Sequence, residues 1–368
     1  MMEWKELSEF LNFEQPTPYL VKTTEYDDSY ETPVLTAGQS LLLGYTNETD
    51  GVYQASKDSP CIIFDDFTTS FHWIDYNFKV KSSAIKMLKP KENTIFRYVY
   101  YAMQQIRFVP QQHQRHWISK YSHFQIPIPS IEEQNRIVDI LDAFTDSIEN
   151  LNQPIAQRRK QYEYYRDQLY LFDGRKDVEY KTLADIGTFT RGKRFVRADN
   201  VEQGVPCIHY GDMYTKYKLI ETETQTHLTE EKAKKLRFAH KGDVVIVAAG
   251  ENDWDIGVGM VWMGKEAAAV HDACYIFEHK QNPLYLAYYM RTYQYHHQIQ
   301  KGVVDGKICS ISALELGRAI IPLPSLEEQS RIVSILDQFE SSISNLEMQL
   351  AQRQKQYEYY RNKLLTFE

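Results

Sequence analysis

The heptapeptide KQYEYYR occurs twice, at Lys160–Arg166 and at Lys355–Arg361, 195 residues apart. It is the tail of a longer duplication. Pro127–Phe172 aligns without gaps with Pro322–Phe367, and 29 of the 46 positions are identical. Solenoid units run about 20–50 residues, so a period this long does not describe one. Two copies point instead to internal two-fold symmetry. The chain reads as a first variable block (1–126), a repeat (127–172), a second variable block (173–321) and a second repeat (322–368).

Each repeat opens on a helix-start signal. PSIEEQ and PSLEEQ place Ser130 and Ser325 at the N-cap, with Glu133 and Glu328 three residues on, the spacing of a capping box. From there apolar residues step by four and three: Ile137, Leu141, Phe144, Ile148, Leu151, Ile155, Arg158, Tyr162, Tyr165, Leu169, Phe172. The second copy runs Ile332, Leu336, Phe339, Ile343, Leu346, Leu350, Arg353, Tyr357, Tyr360, Leu364, Phe367. This is a coiled-coil seam. Arg158 and Arg353 are its charged members, and a polar seam residue sets register. Tyrosines at the wide end can bury their rings and still offer a hydroxyl. The seam accounts for Tyr162, Tyr165, Tyr357 and Tyr360. It does not account for the identity of off-seam Glu163 and Tyr164 with Glu358 and Tyr359, which leaves open a contact with a partner protein or with the neighbouring block. Pro154 stands where the second copy has Gln349, and a bend near 151–154 is expected in the first helix alone.

A chain of 368 residues accommodates two domains with cores of their own. The four cysteines are scattered without a C-x-x-C pair, which argues against zinc and disulfide frameworks. The acidic start MMEWKELSEF lacks a signal-peptide core, and no stretch approaches the roughly 20 apolar residues of a membrane span. A soluble, cytoplasmic protein is expected. The net charge of −8 hides local contrasts. Residues 1–66 carry 3 Lys/Arg against 13 Asp/Glu, whereas 67–126 carry 9 against 2. The second block balances at 20 against 20, with basic runs in RGKRFVR (191–197) and KAKKLRFAHK (232–241). Local basic faces are therefore compatible with an acidic whole, although any single run is equally well an ordinary solvated surface.

The variable blocks begin alike, with EWKELSEF (3–10) and EYKTLADI (179–186). Short strand-like runs follow: SLLLGYT, CIIFDDFTT and NFKVKSSAIKML in the first block, GVPCIHYGDM, GDVVIVAAG and GMVWM in the second. Each block ends with an expected helix, NTIFRYVYYAM (93–103) and NPLYLAYYMRT (282–292), with Asn as the cap. FQIPIP or AIIPLP then leads into the long helix. The fold class expected is two homologous α/β (α+β) domains separated by two long antiparallel coiled-coil helices.

These features, and above all IPLPSLEEQSRIVSILD (321–337) with its copy at 126–142, closely resemble the specificity subunits of type I restriction–modification systems. The resemblance covers essentially the whole chain. It implies a non-catalytic subunit without a cofactor of its own, bound to double-stranded DNA. Each target-recognition domain would read one half of a bipartite site. The paired helices would act as a ruler between the halves and dock two modification subunits, which methylate adenine with S-adenosylmethionine. Restriction subunits would join that core and cleave DNA with ATP-driven translocation. Pro154 puts a straight ruler in doubt.

No catalytic site emerges from the residues. NPLY (282–285) lacks the second proline of an adenine-methyltransferase loop, and a capping Asn followed by Pro at the first helical position explains it. Asp65 and Asp66 ahead of Lys79–Lys81 faintly suggest a metal-dependent nuclease, one ligand short. GENDWDIGVG (250–259) does not fit a phosphate-binding fingerprint, and His296–His297 read as surface residues late in a helix. DNA contact needs no single motif: Lys and Arg hold phosphates while other side chains reach base edges. The candidates for phosphate are Lys79 and Lys81 in the first block, and Arg191, Lys193, Arg194, Arg197 and Lys307 in the second. Thr68, Thr69, Glu251 and Asn252 are the loop candidates for bases, since Asn pairs with adenine and Glu with cytosine. Arg158, Tyr162, Tyr165, Arg353, Tyr357 and Tyr360 are the candidates for the seam and for partner docking. The competing class is a coiled-coil scaffold that binds no DNA.

Overall fold

A computed structural model describes residues 2–38, 40–111 and 114–367. The chain forms two compact units, residues 1–152 with 349–368, and residues 153–348. Each unit thus joins one variable block to the start of the helix that follows it and to the end of the other long helix.

In the first unit, Glu3–Glu6 pairs antiparallel with Gln125–Ile128, with Glu3 opposite Ile128 and Trp4 opposite Pro127. In the second, Glu179–Thr182 pairs with Ile320–Leu323, Glu179 opposite Leu323 and Tyr180 opposite Pro322. The prolines leading into each long helix therefore sit on two-stranded edges, where a missing N–H is tolerated. A one-turn helix (Leu7–Phe10 or Leu183–Ile186) follows each first strand. The sheet that follows keeps one antiparallel order of four strands in both blocks, to which the second block adds a parallel fifth strand, Ile220–Glu221.

The first block carries an antiparallel four-stranded sheet in the order Leu11–Glu14, Ile85–Pro90, Cys61–Asp65, Phe71–Ile74, and a three-stranded one. CIIF is apolar throughout because both faces of its strand are covered. Ile62 and Phe64 join Tyr98, Tyr101 and Trp117, while Cys61 and Ile63 join Leu35, Phe78 and Val80. The second block builds two five-stranded sheets, which hold Val244–Val247 and Gly259–Trp262 in one and Val205–Ile208 and Ala268–Val270 in the other. The strand-like runs read from sequence each contribute a strand, although DFTT (66–69) is a hairpin loop and YGDM starts a helix, Tyr210–Thr215.

The two expected capping asparagines differ. Asn282 caps Pro283–Tyr289, its side chain accepting from the amides of Leu284 (3.1 Å) and Tyr285 (3.3 Å). Asn93 does not cap: it has φ +60°, and the helix starts later, at Phe96.

The long helices run Ile131–Leu169 and Leu326–Leu365, the first continuing through Pro154. Ser130 and Ser325 cap them through the amides of Glu133 (3.3 Å) and Glu328 (3.2 Å). The two glutamates do not complete the box. Each turns to an arginine three residues on, Arg136 or Arg331. Gln134 and Gln329, the last letters of EEQ, donate instead to the carbonyls of Pro129 (2.9 Å) and Pro324 (3.0 Å).

Within each unit the helix segments run antiparallel. In the first, Ile137 and Leu141 share a core with Leu365, and Phe144 stacks on Tyr360 at 5.2 Å with Arg353 over its ring. In the second, Phe339 stacks on Tyr165 at 5.5 Å with Arg158 over its ring. Advancing one residue number by 195 and reducing the other by 195 turns one set of contacts into the other, so each unit repeats the same local arrangement.

Candidate nucleic-acid interface

The tyrosines of each block fasten it to its helix. Tyr98 and Tyr101 donate to the carbonyl of Pro127 (2.6 Å) and to Asp142; Tyr285 and Tyr288 donate to the carbonyl of Pro322 (2.8 Å) and to Asp337 (2.6 Å). KQYEYYR is the second fastening. Tyr357 donates to Gln104 Oε1 at 2.7 Å, which also accepts from Arg361 at 3.2 Å. In the second unit Tyr162 packs against the block's core, and burial pushes its hydroxyl pKa well up. Arg158 and Arg353 hydrogen-bond Gln161 and Gln356 on their own helices. Tyr165 and Tyr360 cover the phenylalanines on one face and remain 47 % and 40 % exposed on the other. Off-seam Tyr164 and Tyr359 are both 60 % exposed. Their shared identity is therefore not explained by packing on a variable block.

The second block opens a cleft of about 470 Å³, whose lining includes Arg194, Arg197, His209, Tyr210, Glu251, His271, Asp272 and Ile308. Two strand pairings assemble it. Val205–Ile208 runs parallel to Ala268–Val270, with Ile208 opposite Val270, which sets His209 beside His271 (ring centroids 4.5 Å). Ala249–Gly250 pairs with Cys309–Ser310, which brings the Glu251 loop to the Ile308 loop. The arginine loop is held by amides of Gly192 and Lys193 on the carbonyls of Cys274 and Val270, both at 3.0 Å. Gly192 lies so close to the carbonyl of His271 that a Cβ would approach it to 2.2 Å. Phe195, 1 % exposed, plugs in edge-on against His271 at 5.1 Å. Burial, with neighbouring positive charge, lowers the pKa of both histidines, His209 beside His271 and Arg197, His271 beside Arg194. Asp272 partly opposes this, 3.1 Å from Nδ1 of His271. Both rings are neutral near pH 7.

The sequence-predicted residues of the second block thus fall into three groups. Arg194, Arg197 and Glu251 share the cleft. Lys193 is exposed on the same loop, Lys307 next to Ile308, and Asn252 next to Glu251, its side chain accepting from the Trp254 amide. Arg191 is exposed but committed, donating through Nε to the carbonyl of Asp272 (2.8 Å) over the ring of Tyr275. His209, Tyr210 and His271 were missed, because CIHYGDM and VHDAC look like strand ends in isolation.

In the first block Thr68 is exposed in the hairpin between Cys61–Asp65 and Phe71–Ile74, beside Phe67 (41 % exposed). Asp65 Oδ1 accepts from the amides of Phe67 and Thr68 at 2.8 Å each, and Thr69 is held at φ +59°. A β-branched residue there is strained. Thr69 is also buried, so it shapes the loop rather than presenting itself. Lys81 is exposed.

Lys79 is a correction. It is 1 % exposed, and its ammonium donates to the carbonyls of Asp50 (2.6 Å) and Gly51 (3.2 Å) beside Glu48 (3.2 Å). An ammonium so enclosed cannot meet a phosphate. The faint nuclease signal has a similar origin. Asp66 is buried against Lys86 (3.4 Å) and accepts from the amides of His116 and Trp117, while Asp65 organises its hairpin. His296 is partly buried near Trp254 rather than on the surface. Among the described residues no group of three or more His, Cys, Asp or Glu could hold a metal ion, and no helix is long and apolar enough to cross a membrane.

Comparison with known proteins adds to this geometry. The family model of the type I restriction modification DNA specificity domain matches residues 1–157 and again 175–353. The type I restriction enzyme EcoR124I/EcoR124II specificity subunit of Escherichia coli is 38% identical over 390 aligned positions, covering 100% of this chain and 94% of that one. Among solved structures, the S subunit of a type I restriction–modification system from M. genitalium matches with a TM-score of 0.59 at 15% identity, covering 100% of this chain and 97% of that one. A chain from another type I system matches with a TM-score of 0.56 at 16% identity, covering 99% and 96%.

Proposed function

This chain belongs to the family of type I restriction–modification DNA specificity subunits, and from that membership we propose how it divides the work. It is the DNA-recognising subunit, and chemistry belongs to its partners. The two blocks, 1–126 and 173–321, each read one half of a bipartite site in the cytoplasm. The repeats, 127–172 and 322–368, set the distance between the halves. Two modification subunits dock along the repeats, where Tyr164 and Tyr359 are exposed at equivalent positions, and restriction subunits join through them.

One observation carries this reading. Both units use the same strand register, the same tyrosine fastenings and the same stacked aromatic on the helix, yet the second block carries additional strands and the exposed loops differ in sequence. A kept frame with two different surfaces suits two different half-sites. Exchanging residues 173–321 for the same block of another specificity subunit, then sequencing the methylome, tests it. One half of the methylated site should change. A change in both halves would refute independent reading. A scaffold without DNA binding would show no affinity for duplexes at low salt, where phosphate contacts are strongest.

A further inference from the structure

The RGKRFVR run is a built platform rather than a solvated charge run. Buried Phe195 and the backbone bonds of Gly192 and Lys193 fix the loop, so Arg194 and Arg197 stand on either side of an anchored residue. Among the described residues neither arginine has an ion-pair or hydrogen-bond partner, and both are exposed. Glu251 and Asp272 line the same cleft. Resting on the DNA-reading function above, we propose that this cleft is the base-reading site of the second domain and that it selects a G·C pair. Guanine is held by the cleft arginines and the cytosine amino group by Glu251.

The mixture of charges separates this from phosphate binding. Phosphate oxygens only accept hydrogen bonds and carry negative charge, so Glu251 and Asp272 repel them. A base edge offers donors and acceptors together. The planar guanidinium fork matches the O6 and N7 acceptors of guanine, whereas adenine turns a donor toward it; a carboxylate accepts from the cytosine N4 amino group. The paired demands of arginine and glutamate are met by G·C. The loops are held before DNA arrives, so little ordering is needed on binding.

The test uses the full chain assembled with its modification subunits and duplexes that differ by one base pair across the half-site assigned to 173–321. Wild type should lose roughly 5- to 150-fold in affinity when one G·C pair becomes A·T, the range of a good bidentate contact. The double substitution R194A/R197A and, separately, E251A should bring that ratio close to one, with discrimination at the other pairs of both halves kept. All three side chains are exposed, so folding is not at risk. Unchanged discrimination at every pair in these variants would overturn the assignment. So would a uniform weakening on all duplexes with a shallower salt dependence, the mark of phosphate contacts. A wild-type complex with no sequence preference would instead refute the DNA-reading function, and this inference with it.

Discussion

Lys79→Ala should destabilise the first unit without acting on DNA directly. The substitution removes an ammonium that is 1 % exposed and leaves Glu48, whose side chain is 12 % exposed, facing the carbonyls of Asp50 and Gly51 without its cation. Removing one partner of a buried pair costs roughly 3–5 kcal/mol. With an m-value near 2 kcal/mol/M, the urea midpoint of this unit should fall by about 2 M. Pulse proteolysis in urea, resolved to peptides from 61–90, reads that midpoint separately from the second unit. Lys81→Ala, at an exposed position two residues on, should shift it by no more than about 0.5 kcal/mol. The pH dependence has a definite sign. Burial raises the Glu48 pKa, but the amides of Thr23 and Lys22 together with Lys79 outweigh it, and the net pKa is lowered. A lowered carboxylate stabilises above its unfolded pKa, and that contribution disappears as pH falls through the folded value. Lys79→Ala should therefore cost less in acid than at neutral pH. An unchanged midpoint, with DNA affinity lowered and the salt slope reduced, would show that Lys79 holds phosphate after all.

Tyr98→Phe and Tyr285→Phe each leave a proline carbonyl without its donor and should cost about 1–3 kcal/mol in their own units, measured by the same proteolysis. His279 has its pKa pushed down to about 4 by burial, so the unfolded chain takes its proton first as pH falls. The second unit should lose on the order of 3 kcal/mol between pH 6.5 and 4 from this group, and His279→Gln should remove that part of the pH profile. Four residues added after Leu151 and after Leu346 would lengthen each helix by about 6 Å and, as a stutter, unwind the seam only locally. With base pairs stacked ~3.4 Å apart, methylome sequencing should find the half-sites unchanged and the gap wider by about one or two base pairs; an unchanged gap in an active complex would show that the helices are not the ruler.

The order of residues by itself determined the duplication, the two long helices, their capping serines and most of the seam. These depend on contacts between residues three, four or seven apart on one helix face, so local spacing encodes them. The apolar strands were legible because short apolar runs bounded by turn residues mark buried strands. Tertiary structure alone decided the rest. Asn282 caps a helix and Asn93 does not, although both precede similar segments, because the backbone at Asn93 takes φ +60°. Lys79 and Lys81 look equivalent in NFKVK, yet the closure of Asp50 and Gly51 over one of them turns it inward. The tyrosines of KQYEYYR read as coiled-coil members, but Gln104, more than 250 residues away, fixes one of them. The cleft depends most on tertiary pairing. Its side chains come from five separated segments, and none of those segments is unusual alone. They meet because the parallel register of Ile208 with Val270 and the pairing of Gly250 with Cys309 are set by burial across whole sheets, which no local window of sequence records.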